Sequence, residues 1–162
     1  MSFSKIVLFC TSVACGSISP TTASAFDLPD GISFGADFSD VQVVAQSRGW
    51  DLQQTSFNSN AWSIDEQGIT FYFCDQMLTA VDKYLDGNLR TFVETVSSLR
   101  LKWGDPQTET FVLVPGSQLE AYGVQSVFED GQGLSLTIQI YTRNNTETVW
   151  VRKSDGSVCE QN

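Results

Sequence analysis

Nineteen carboxylates, four cysteines and no histidine set the chemistry open to this 162-residue chain. Without histidine, Ser-His-Asp and Cys-His catalysis are excluded, as are histidine metal ligation and imidazole acid–base work. What remains is a pair of Asp or Glu side chains acting as acid and base, as in glycosidases, but no spacing selects one pair. Asp27, Asp30, Asp37 and Asp40 do not follow the alternating ligand pattern of a calcium loop and read as solvated loop charge. Gly31 and Gly35 lack the spacing and strand–helix context of a phosphate-cradling loop. No metal or cofactor is implied.

Aromatic side chains offer a second kind of chemistry. Trp50, Trp62, Tyr72, Tyr84, Tyr122, Tyr141 and Trp150 are spread over several strand-like stretches, and aromatics on an open sheet face often make binding surfaces. Trp62, Tyr72, Tyr141 and Trp150 are the candidate binding residues. Tyr72 and Tyr141 sit opposite the main apolar rows of their strands. The competing reading is packing in minor clusters at a sheet edge or under loops.

The first 25 residues bear on compartment. Lys5 is followed by the apolar run Ile6, Val7, Leu8, Phe9, Cys10, Val13, Ala14 and Cys15, then Pro20 and Ala23-Ser24-Ala25. That is the pattern of a secretory signal peptide. The apolar run is too short for a permanent bilayer anchor, and no later segment is apolar enough for one. Val13-Ala14-Cys15-Gly16 also resembles the end of a lipobox, which would make Cys15 a lipidated N-terminus, but Ser12 stands where a larger aliphatic residue is expected. Cleavage after Ala25 predicts a periplasmic or secreted protein whose remaining cysteines, Cys74 and Cys159, pair as a disulfide in an oxidising compartment. No Cys-x-x-Cys spacing supports a redox role.

Residues 26–162 are then one α+β domain. Lys5 leaves with the leader, so 9 basic residues become 8 against 19 acidic ones, a net charge of −11. That balance argues against nucleic acid and anionic lipid, and allows a basic partner. Ser39 is placed to cap a first helix, with Val41, Val44 and Ala45 on its apolar face and Gly49 at its end. Short alternating strands follow at about 50–56, 60–66, 69–74 and 77–85, with a bulge expected near Val81. Leu89, Phe92, Val93, Val96, Leu99 and Trp103 trace the stripe of a second helix over 89–103, ended by Gly104 and Pro106. Four more strands are expected at about 108–114, 119–128, 134–142 and 146–153. Asn144-Asn145 turns the last hairpin, and with Thr146 it is also a glycosylation sequon if the host is eukaryotic. The predicted architecture is an antiparallel sheet with two short helices packed on one face, a helix-then-strands arrangement repeated twice.

Gly31-Ile32-Ser33-Phe34-Gly35 before the first helix, Phe71-Tyr72-Phe73 in a mid-chain strand and Trp103-Gly104-Asp105-Pro106 closing the second helix carry a resemblance. The chain resembles the small exported modules related to the β-lactamase inhibitor proteins and to the small lipoprotein of the outer-membrane β-barrel assembly machine. The resemblance implies helices on one face of an antiparallel sheet, the other face left for partners, and a protein-binding role in the cell envelope. Those lipoproteins carry an acylated cysteine at the mature N-terminus, which the cleavage site above would not give. The enzyme-gripping loops of the inhibitors have no match here, so no functional residue is carried over.

The sequence therefore reads as a monomeric, exported, soluble binding module that recognises a protein partner of the cell envelope through an exposed sheet face or hairpin loops. The alternative is a small two-carboxylate hydrolase acting on carbohydrate.

Overall fold

Strand alternation and two capped helices account for almost every element of the computed structural model, which describes residues 27–113 and 121–157. Helix α1 spans Phe38–Ser47 and buries Val41 and Ala45. Its cap is Asp37 rather than Ser39: the Asp37 carboxylate accepts the Ser39 N–H at 2.9 Å. That backbone bond holds the exposed Asp37 carboxyl below its ordinary pKa. Helix α2 spans Leu89–Trp103. The Asn88 side chain accepts the Arg90 N–H at 2.9 Å, while the Thr91 hydroxyl receives the N–H of Asn88, forming a capping box. Of the predicted apolar stripe, Phe92 and Leu99 are buried and Val96 and Trp103 pack at the margin. Leu89 and Val93 stay more than half exposed.

The strands are β1 (Gln53–Gln54), β2 (Ala61–Ile64), β3 (Ile69–Cys74), β4 (Met77–Leu85), β5 (Gln107–Leu113), β6 (Ala121–Glu129), β7 (Ser135–Arg143) and β8 (Thr146–Ser154), with one 3-10 turn at Asp65–Gln67. They form a single antiparallel sheet in the order β1-β2-β3-β4-β8-β7-β6-β5. Each helix thus precedes a four-strand meander, and the last strands of the two meanders, β4 and β8, meet at the centre. The first strand pairs over two residues only, less than the alternation around Trp50 suggests. Asn144 and Asn145, with φ of 52° and 60°, close the β7–β8 hairpin as expected.

The bulge lies two residues before Val81. Tyr72 pairs with Ala80 and Phe73 with Leu78, leaving Thr79 as the extra residue. The insertion turns both Leu78 and Val81, three apart in sequence, toward the core, where neither is exposed. Phe71, Val81, Ile138, Val149 and Val151 join Val41 of α1 and Phe92 and Leu99 of α2 in one cluster, so both helices cover the same sheet face. Among the described residues no helix is long and apolar enough to cross a membrane.

One expectation is corrected here. The described residues contain no Sγ–Sγ pair at bonding distance, so the Cys74–Cys159 bridge is not an element of the described fold. Cys159 lies outside those residues, as does the predicted leader over residues 1–25. Cys74, on the last position of β3, is not a free thiol. The two halves of the described sheet are joined by the β4–β8 ladder at its centre.

Candidate functional site

Pairing of β4 with β8 decides which side chains share the uncovered face. Val81 and Val151 turn to the core, so Asp82 and Tyr84 on β4 and Arg152 and Trp150 on β8 turn the other way. Asp82 stands opposite Arg152, and Tyr84 opposite Trp150. Register extends the rows: Arg152 is opposite Thr137 on β7, and Trp150 is opposite Gln139, which is opposite Gln125 on β6. Tyr72 on β3 and Tyr141 on β7 complete a groove of about 310 Å³, with Phe57, from the loop between β1 and β2, as a further wall. Phe57 is 74% exposed.

The floor is an ion pair. Arg152 Nε and Nη2 donate to Asp82 Oδ1 and Oδ2 at 2.6 and 2.7 Å, a bidentate contact between residues 70 apart in sequence. The Asp82 side chain is 10% exposed and that of Arg152 49% exposed, so the carboxylate is sheltered and the guanidinium reaches solvent. Tyr72 donates its hydroxyl to Asp82 Oδ2 at 2.9 Å, and Arg152 Cζ lies 4.8 Å from the centroid of the Tyr72 ring. Hydrogen bonding to Asp82 raises the guanidinium pKa further above its already high value. Burial, reinforced by the Asp82 charge, pushes the Tyr72 phenol up to about 12.

The walls are braced. Trp150 Nε1 donates to the Tyr141 hydroxyl at 3.2 Å, and the Tyr84 ring meets the Trp150 ring edge-on at 5.7 Å. Gln139 Nε2 donates to Gln125 Oε1 at 2.7 Å, and Gln125 Nε2 donates in turn to Glu109. At the outer end of the same face Phe111 lies across Gly123, the residue opposite Tyr141. A side chain at 123 would collide with that ring and with the Ile140 carbonyl.

Three of the four aromatics singled out from sequence (Tyr72, Tyr141 and Trp150) therefore line one groove, half-buried rather than fully exposed. Trp62 does not join them. It pairs with Phe71 and meets the Phe38 ring at a tilt of 43° with centroids 4.6 Å apart, on the helix-covered face. Asp82, Arg152, Thr137, Gln139 and Phe57 were not anticipated. Arg152 was readable from the alternation Val149, Val151 against Trp150, Arg152. Asp82 was not, because its direction depends on the bulge at Thr79 and its partner on a pairing that sequence does not announce. Among the groove residues Asp82 is the one carboxylate, and the described residues hold no cluster of three or more potential metal ligands.

No family model, no curated protein and no solved structure matches the chain.

Proposed function

We propose that this protein is an exported binding module without catalytic activity, and that its ligand seats in the groove over the seam between β4 and β8. The observation that carries the reading is the convergence of Tyr72, Tyr141 and Trp150 from three strands onto one groove, each tied by a hydrogen bond within it. Side chains already fixed lose little freedom when a ligand arrives, which favours binding. Export rests on the leader pattern from Lys5 to Ala25, and an envelope location agrees with the resemblance drawn from the sequence. The two-carboxylate hydrolase is the weaker reading, because the groove offers one acid and Arg152 and Tyr72 already occupy it.

The test is capture from envelope and secreted fractions on the immobilised full chain, with bound protein and bound glycan both analysed. Material held by the wild type and by Val43→Ala, a change on the exposed side of α1, but lost with Trp150→Ala is the expected result. A retained fraction identical for the wild type and Trp150→Ala would place binding elsewhere and overturn the reading.

A further inference from the structure

We propose that the groove is a site for a neutral saccharide, an inference that rests on the binding-module reading above. Three features of the site lead there. First, its uncommitted polar atoms are of both senses. Among the described residues the Thr137 hydroxyl and Gln139 Oε1 make no side-chain hydrogen bond, and the Tyr141 hydroxyl accepts from Trp150 with its own O–H still able to donate. A ligand that satisfies this set must offer donors and acceptors close together, which hydroxyl groups do because each is both.

Second, the floor is charge-neutral. Asp82 cancels Arg152, so the groove holds no unpaired charge with which to select an ion. The chain as a whole carries −10 and repels acidic polymers. Third, the polar atoms lie among rings. Trp150 is held from two sides by Tyr84 and Tyr141, and Phe57 stands exposed at the wall. A sugar ring presents C–H groups from its faces and hydroxyls from its rim, matching flat aromatic walls and polar groups at once. The volume, about 310 Å³, lies at the small end of the range for small-molecule sites.

Calorimetric titration of the full chain with cello-, chito- and malto-oligosaccharides, with polygalacturonate as the acidic comparison, tests this. At least one neutral oligosaccharide is expected to bind with a Kd of about 1 mM or tighter, weakened about tenfold or more by Trp150→Ala. Thr137→Val, nearly isosteric and without the hydroxyl, is expected to weaken it about threefold. Val43→Ala is expected to leave it unchanged. Circular dichroism melts check that each variant is folded, and if Trp150→Ala is not, Thr137→Val decides. Absence of binding by every neutral oligosaccharide, stronger binding of polygalacturonate, or affinity indifferent to the groove substitutions would each overturn the proposal. If the capture experiment meanwhile yields a protein lost with Trp150→Ala, the saccharide inference falls alone and the binding module stands.

Discussion

On β8, Val149 and Val151 are wholly buried under the helices, while their sequence neighbours Trp150 and Arg152 remain partly accessible on the opposite face. The same division runs across the sheet. The covered face is built from Phe71, Val81, Ile138 and Val151, joined by contacts that have no direction. The open face is built from Tyr72, Asp82, Gln139, Trp150 and Arg152, joined by hydrogen bonds that each need one particular partner. One face supplies most of the stability, and the other holds the groove proposed above as the binding site. They share a backbone, so every residue the bulge at Thr79 turns inward is matched by one turned outward.

The largest test of that division is Phe71→Ala. Phe71 is fully buried at the centre of the cluster, and emptying that volume is expected to cost about 3–5 kcal/mol of stability. Urea denaturation measures it. A comparable loss from Trp150→Ala would mean that the open face carries core-like packing and that the two faces are not divided in this way.

Arg152→Ala probes the open face where it most resembles an interior. Removing the guanidinium leaves the sheltered Asp82 carboxylate without its charge partner. A fully buried pair broken this way costs several kcal/mol, but Arg152 is half-exposed, so solvent screening reduces the expected loss to about 1–2 kcal/mol. Asp82→Asn made in the Arg152→Ala background should recover part of the loss, because the stranded charge is then gone. Denaturation of the wild type, both single variants and the double variant measures the coupling. A double variant as unstable as the sum of the singles would show that the pair contributes no coupling between the two halves of the sheet.

The two faces were not equally legible in the sequence. Covered-face residues announce themselves by period: Leu136, Ile138 and Ile140 alternate with Ser135, Thr137 and Gln139, and all three are buried. The helices were legible through Gly104 and through the Phe92–Leu99 stripe, though Asp37 took the capping role expected of Ser39. Membership of the open face was half legible. Tyr72 and Tyr141 could be assigned by alternation within their own strands, whereas the meeting of Asp82 with Arg152 required the β4–β8 pairing, which links residues 70 apart. Trp62 misled for a related reason. In a four-residue strand with half-buried positions on both sides, alternation does not tell the faces apart.

The smallest effect belongs to a single oxygen. Tyr72→Phe removes the hydroxyl that Asp82 accepts and keeps the ring under Arg152. At neutral pH the expected loss is about 0.5–1.5 kcal/mol. The pH dependence is more informative. Folding raises the phenol from 10.0 to about 12, so the folded chain holds its proton where the unfolded chain has released it. The contribution is complete below pH 10 and is lost as the pH climbs from 10 toward 12. Wild type should therefore lose stability through that interval more steeply than Tyr72→Phe, and the two should converge at its upper end. Parallel decline would show that the Tyr72 proton is held no more tightly in the folded chain than in water. The open face would then lack the sheltered hydrogen bonding that sets it apart from an ordinary solvated surface.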